Sequence, residues 1–525
     1  MKLRTPSPAI GLVIALGSAA AGCGSDELFT LEIGANERLI DTAAASRLAN
    51  PDRGMELPLV VGDLDGDGID DAIVRSNFTA PGPAGKIVYG GALHVLYGGS
   101  GVTGAIDLAS LPALTQIGAP VLVPPAASVV AVGDVDGDGL ADVLVSIDTM
   151  FGCSEPQSPW ITDGPALGGA YLIYGSTTRL SGSHLMSDVA VHLSDPTTCG
   201  HWNIVAGLGD IDGDGMADFA ISTESTVFGE LSKVFVFYGR GQRLSGTVDL
   251  AATADAVITE PGAPQGLGSG DAYRVGDVDG DGLSDFIVRL PLNGQTLDAR
   301  LVRGSAHRLA GAVALGDIGH TQLPGDEFCF WNTAPFAVAL GDLDGDGADD
   351  FSLVNCQRGQ NFVYGPVVHR VFYGHKGELP AQLGAADAAA TIDPVVGPWS
   401  SQLLAGDLDG DGVPDLVLAD VNLHDGNGGV HVMKGRHERL SGAIDPSSPL
   451  FITYVGQPQR VPNCDGKDCF LPERVGSGID LGDLTGDHHP DLLIGAASDD
   501  YEIVPGPGTA MGHTYVLSSP VIPKP

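Results

Sequence analysis

Asp63-Leu64-Asp65-Gly66-Asp67-Gly68-Ile69-Asp70-Asp71 sets carboxylates at positions 1, 3, 5 and 9 of a nonapeptide, with glycine at positions 4 and 6. The pattern D-h-D-G-D-G-h-x-D, with h apolar, returns at 134–142, 210–218, 277–285, 342–350 and 407–415. A seventh copy is degenerate: Asp483-Leu484-Thr485-Gly486-Asp487-His488-His489-Pro490-Asp491. The first aspartates of successive copies stand 65 to 76 residues apart. A period held over seven copies marks a repeat architecture and overrides any domain count drawn from length.

The flanks repeat as well. A short apolar run precedes each loop, as in Leu59-Val60-Val61, and another follows, as in Val143-Leu144-Val145. A third run ends in glycine, as in Ala170-Tyr171-Leu172-Ile173-Tyr174-Gly175. Arg-Leu-(Ser/Ala)-Gly then recurs, starting at Arg179, Arg243, Arg308 and Arg439, and a weaker run such as Thr247-Val248-Asp249-Leu250 closes the unit. Short β-prone runs between Gly-rich turns read as strands. Four strands per unit, repeated radially, make an all-β, seven-bladed β-propeller with calcium-binding hairpin loops. The last unit offers a third strand, His513 to Leu517, but no fourth. The N-terminal segment around Phe29 to Ile33 or Arg38 to Thr42 is expected to supply it and remove two open edges.

Oxygen-rich loops of this kind suit a hard cation, and calcium is the expected cofactor. The candidate ligands are the carboxylates of Asp63, Asp65, Asp67 and Asp71 with the carbonyl of Ile69; Asp134, Asp136, Asp138 and Asp142 with Leu140; and Asp210, Asp212, Asp214 and Asp218 with Met216. The set continues with Asp277, Asp279, Asp281 and Asp285 with Leu283; Asp342, Asp344, Asp346 and Asp350 with Ala348; and Asp407, Asp409, Asp411 and Asp415 with Val413. That makes about six sites. The seventh offers Asp483, Asp487 and Asp491, but Thr485 brings only a neutral hydroxyl and His488 replaces the turn glycine. An EF-hand requires Glu at position 12 and flanking helices. Position 12 is apolar in all six full copies, beginning with Val74 and Val145, so that reading fails.

The repeats resemble the FG-GAP repeats of the integrin alpha-subunit propeller. The seventh unit carries the best flanks, Val475-Gly476-Ser477-Gly478 before its loop and Asp491-Leu-Leu-Ile-Gly-Ala-Ala497 where the family has Gly-Ala-Pro. Most units lack the Phe-Gly and Gly-Ala-Pro signatures, and six full loops exceed the subset found in integrin blades. The resemblance implies the fold, calcium binding and, by analogy, adhesion. It also places the calcium loops between strands 1 and 2, on one face of the disc.

The opposite face then receives the connections after strands 2 and 4. Six cysteines map there: Cys153, Cys199, Cys329, Cys356, Cys464 and Cys469. Their expected pairs are 153 with 199, 329 with 356 and 464 with 469, although spacing leaves other connectivities open. Trp160, Trp202, Trp331 and Trp399 fall in the same loops. They are candidate ligand-binding residues, the competing reading being that they cover the core beneath long loops.

Lys2 and Arg4 precede an uncharged stretch, Ala9 to Ala21, that is too short to span a bilayer and reads as a secretory leader. Ala20-Ala21-Gly22-Cys23 looks like a bacterial lipobox, with Cys23 as the lipidated residue. The boundaries are then 1–22 for the signal peptide, 23–28 for a tether and 29–525 for the propeller. Removing Cys23 leaves an even number of cysteines, as an oxidising compartment requires. The expected location is exported and membrane-anchored, in the periplasm or at the cell surface.

Lys and Arg number 26 against 66 Asp and Glu, a formal charge of −40. Nucleic acid and anionic lipid would repel such a chain. No nucleophile elbow, P-loop, Rossmann fingerprint or zinc motif is present. A protein or carbohydrate ligand at a cell surface is the expected partner, besides the membrane reached through the N-terminal lipid. A calcium-dependent polysaccharide lyase or hydrolase, or a scaffold in an envelope complex, is the alternative.

Overall fold

Each acidic nonapeptide ends one strand and begins the next, so the loops define hairpins. In the computed structural model these hairpins are the inner half of seven four-stranded blades. The structure describes residues 14–17, 28–31, 36–518 and 521. Excepted are 41–43, 45, 50–54, 82–86, 108–109, 116–126, 148–168, 195–202, 224–231, 260–270, 294–295, 319–320, 324–335, 359–363, 393–401, 465–466 and 497–512.

Blade 2 shows the plan. Ala127–Gly133, Asp142–Ile147, Gly169–Ile173 and Val191–Ser194 form an antiparallel meander in that order. Blade 1 begins at Met55–Gly62, blade 3 at Asn203–Gly209, blade 4 at Asp271–Gly276, blade 5 at Ala337–Gly341, blade 6 at Leu403–Gly406 and blade 7 at Val475–Gly482. These first strands touch one another around the whole ring and line its axis.

Blades pack face to face, so their middle strands are buried on both sides. That is why the second strand of blade 6, Asp415–Asp420, is buried at every residue. Between blades 2 and 3, Val132, Leu144 and Leu172 meet Phe219, Ile221, Phe235 and Phe237. Phe219 and Phe237 stack with centroids 4.8 Å apart. Leu48, Val60, Val74, Leu493 and Val516 join blade 7 to blade 1 in the same way, so the apolar core closes into a ring.

The N-terminal segment supplies the fourth strand of blade 7, but through residues other than those expected. Ser46–Ala49 pairs antiparallel with His513–Leu517. Leu28–Leu31 instead pairs with Ile14–Gly17, and Glu37–Leu39 runs parallel to Phe451–Val455 at the outside of blade 6. Leu48 is fully buried, and its side chain fixes the register of the closing strand.

The Thr247 run also differs from its reading as a fourth strand. The fourth strand of blade 3 is Ala256–Thr259, whereas Thr247–Asp249 lies parallel to Val191–Ser194 as a fifth strand on blade 2. Ser183–Leu185, Gly311–Ala314, Gly442–Ile444 and Gly104–Asp107 likewise reach back onto the preceding blade. Each such strand covers an edge that would otherwise stay open.

Cys23, Cys153, Cys199 and Cys329 lie outside the described residues. Cys356, Cys464 and Cys469 sit on strands, but their side chains are not described. Trp160, Trp202, Trp331 and Trp399 also lie outside the described residues. Among the described residues no helix is long and apolar enough to cross a membrane.

Candidate metal centres

The loop of blade 2 folds around its own first carboxylate. Asp134 Oδ1 accepts the N–H groups of Gly137 at 2.7 Å and Asp138 at 3.1 Å, and its Oδ2 accepts that of Gly139 at 2.7 Å. Gly137 and Gly139 hold φ of 74° and 89°, the left-handed region that favours glycine. The loop therefore needs both glycines in order to wrap.

Position 9 is the buried anchor. Asp142 has no exposed surface; its Oδ2 accepts from Val135 N at 2.9 Å and its Oδ1 from Gly175 N at 2.8 Å. The same pair of bonds holds Asp71, Asp218, Asp285, Asp350 and Asp415. This explains the glycine that ends every third strand in blades 1 to 6. A Cβ on Gly175 would stand 2.6 Å from Leu140 Cβ and 2.7 Å from the carbonyl oxygen of Ala141.

In the first five loops, ligand atoms of positions 1, 3 and 9 lie within 4.8 Å of one another, as for Asp134, Asp136 and Asp142. Position 5 stands outside these three-residue groups; its Oδ1 accepts the N–H of position 7, as Asp138 does from Leu140 at 3.0 Å. Two unit charges at 4.8 Å repel by about 3.5 kcal/mol at an effective dielectric of 20. Burial above all, with the neighbouring carboxylates adding to it, pushes Asp71, Asp142, Asp218, Asp285 and Asp350 up to about 7, against the bonds from backbone N–H. Asp415 is pushed up to about 6.

The donor set fits a hard divalent cation: carboxylates alone, closely gathered, with no sulfur or imidazole. Two buried oxygens point the same way. Asp279 Oδ1 and Asp409 Oδ1, both at position 3, have no hydrogen-bond partner among the described residues. An anionic oxygen left so is costly unless a cation meets it. The carboxylates of positions 1, 3 and 9 would hold calcium, which would neutralise their repulsion and fix the hairpin.

Blade 7 departs from the plan. Asp491 Oδ2 accepts from Thr485 N at 2.8 Å, and Thr485 Oγ1 lies 3.3 Å from Asp491 Oδ1. His488 takes the glycine position with φ of 68°.

The Arg-Leu corner, to which the repeat pattern alone assigns no role, meets the acidic loops. Arg179 pairs with Asp65 and Asp67, Arg243 with Asp136 and Asp138, Arg308 with Asp212 and Asp214, and Arg439 with Asp344 and Asp346. Each arginine thus reaches positions 3 and 5 of the loop in the preceding blade. Its constant place, four residues after the glycine that ends a third strand (Gly175, Gly239, Gly304 and Gly435), was the available signal.

The opposite face is described in part, at the junction of blades 6 and 7. His424 and Asp425, in the connection between the second and third strands of blade 6, hold φ of 49° and 57°, and Arg474 holds 54°. Asp420 Oδ2 and Asn427 Oδ1 are buried without a hydrogen-bond partner among the described residues. His424 Nε2 lies 3.0 Å from Glu37 Oε1, and this carboxylate raises the histidine pKa. Non-glycine residues in left-handed conformations are uncommon, and adjacent ones store strain.

No protein-family model matches the chain. Among solved structures it is similar to a triple-arginine mutant of AofleA from Arthrobotrys oligospora, at 11% identity over 79% of this chain and 91% of that one, with a TM-score of 0.34. It is also similar to a mannose phosphorylase from Leishmania mexicana, at 13% identity over 63% and 88%, with a TM-score of 0.27. The V. cholerae biofilm matrix protein Bap1 is similar at 10% identity over 92% and 88%, with a TM-score of 0.20. The seven-blade ring rests on the strand pairing itself.

Proposed function

We propose that this chain is a calcium-binding propeller of the FG-GAP type, exported and lipid-anchored through Cys23, and that it binds a protein or carbohydrate at a cell surface. The observation that carries the calcium reading is the repeated convergence of three buried or half-buried carboxylates, with orphaned oxygens on Asp279 and Asp409. Calcium is then structural, and the ligand is met on the other face. The strained His424–Asp425 segment and the unpartnered oxygens of Asp420 and Asn427 support that choice of face. Disulfides among the six remaining cysteines would hold its long loops, and the four tryptophans would supply contact area.

The test uses mature protein without its lipid, in millimolar calcium, incubated with surface polysaccharides and cell-envelope fractions. Retention without release of soluble fragments is the expected result, and Trp160→Ala and Trp331→Ala should weaken it without lowering stability. Release of fragments would make the chain a carbohydrate-active enzyme instead. Retention only on assembled envelope fractions would make it a scaffold.

A further inference from the structure

The acidic loops are not completed by their own blades. In four of them, positions 3 and 5 meet a guanidinium delivered by the next blade around the ring. The delivery is built the same way each time. A tyrosine at the end of the third strand turns its ring under the arginine, at 5.0 Å for Tyr97 and Arg179, 4.8 Å for Tyr174 and Arg243, 4.9 Å for Tyr238 and Arg308, and 4.8 Å for Tyr373 and Arg439. The same tyrosine hydroxyl accepts the N–H of the leucine after that arginine, at 2.9 Å from Leu180, 3.0 Å from Leu244, 2.8 Å from Leu309 and 2.6 Å from Leu440. A cation over a ring and a bond to the adjacent backbone fix both ends of the corner.

We propose that Arg179, Arg243, Arg308 and Arg439 are positioning residues for the cation sites, so that each of these sites is assembled across a blade interface. The inference rests on the calcium reading above. The guanidinium takes Oδ2 of positions 3 and 5, while Oδ1 of position 3 stays in the loop, as Asp136 Oδ1 does under Asp138 N at 3.2 Å. Partners behind a ligating carboxylate fix its direction toward the ion. The exceptions agree. Loop 7 has Thr485 in place of the position 3 carboxylate, and the stretch after Tyr97 in blade 1 runs Gly-Gly-Ser-Gly-Val-Thr-Gly104 without arginine. Loop 6 has no following corner, and its own blade provides Lys434 to Asp409 and Asp411. Loop 4 receives Arg303 from its own third strand instead. A carboxylate at position 3 therefore always has a cationic side chain behind it.

The test counts calcium bound per chain against free calcium, for the wild type and for Arg243→Gln, Arg243→Lys and Tyr174→Phe. Arg243→Gln should weaken one site by about 10- to 100-fold and leave the others unchanged. Arg243→Lys, which keeps the charge but loses the forked geometry, should recover part of the loss. Tyr174→Phe loses the bond to Leu244 but keeps the ring under Arg243, so its calcium binding should stay close to wild type. An unchanged or tighter site in Arg243→Gln would overturn the proposal, because the arginine would then be a bystander or a competitor. No calcium uptake by the wild type would instead overturn the calcium reading itself. Circular dichroism at saturating calcium verifies that each variant is folded. Should Arg243→Gln fail to fold, Arg439→Gln asks the same question at the loop of blade 5.

Discussion

Chelating the protein should expose a steep pH dependence that bound calcium largely removes. Asp71, Asp142, Asp218, Asp285 and Asp350 titrate near 7 in the folded chain without an ion, against 3.8 when unfolded. Below 3.8 both states hold the proton. Between 3.8 and 7 the folded state holds a proton that the unfolded state has released, so stability falls as pH rises, and above 7 the whole penalty applies. From pH 5.5 to 8 this is about 2 kcal/mol per carboxylate, or about 10 kcal/mol over five, against typical stabilities of roughly 5 to 15 kcal/mol. His431 works the other way: burial holds it down at about 4, so its contribution falls as pH drops below 6.5. It removes only about 1.4 kcal/mol between pH 8 and 5.5, too little to change the sign. Bound calcium requires ionised carboxylates, so it competes with the proton and offsets the penalty at high pH. At 10 mM calcium and dissociation constants of roughly 0.1 to 1 mM, each site adds about 1.4 to 2.7 kcal/mol. Thermal or urea unfolding at pH 5.5 and 8 should show the chelated protein far more stable at pH 5.5, and calcium should shrink that difference from about 2 to about 0.2 to 0.8 kcal/mol per carboxylate. A chelated protein that grows more stable toward pH 8 would refute the reasoning.

Gly175→Ala should destabilise by about 1 to 3 kcal/mol in urea, because its methyl group meets Leu140 and the Ala141 carbonyl. It should also weaken calcium binding at loop 2, because the Gly175 N–H anchors Asp142. Leu48→Ala removes the buried side chain of the closing strand and should cost about 2 to 5 kcal/mol. Limited proteolysis should then cut near the N-terminus before it cuts inside the blades, whereas unchanged cleavage would show that Ser46–Ala49 does not hold the ring.

The loops and the blade count were legible because one spacing serves chemistry and chain reversal together. Asp, Gly and an apolar residue at fixed offsets dictate a tight turn between strands wherever they occur. The closing strand was not legible in the same way. Ser46-Arg47-Leu48-Ala49 has no run of β-branched residues, and it becomes a strand because His513–Leu517 offers an edge. The Thr247 run was recognisable as β-prone, but its partner depends on where Arg243 is held, 105 residues from Asp138 along the chain. Sequence proximity assigns such a strand to its own blade; the arginine corner carries it to the blade before.

The seams between blades are also unequal, and the residue at loop position 8 decides part of the difference. Ala141, Ala217, Ser284, Asp349 and Asp70 each donate their N–H to the carbonyl of position 1 in the preceding blade, at 2.7 to 3.0 Å. Pro414 and Pro490 occupy position 8 in blades 6 and 7 and have no N–H to give. The seam between blades 5 and 6 still has the Arg439 corner, but the one between 6 and 7 has neither device. Its bonds lie toward the opposite face, where Val475 N donates to the Asn427 carbonyl at 3.0 Å and Ile479 N to Gln402 Oε1 at 2.8 Å. The strained turn at His424–Asp425 leads directly into Asn427, so part of that strain serves this contact. Local opening should therefore begin on the loop face between blades 6 and 7. Hydrogen exchange in calcium should show amides of 484–489 exchanging ahead of 135–140, with Val475 and Ile479 still protected. Equal protection of the two loops would mean that the proline positions are compensated elsewhere and that the seams are equivalent.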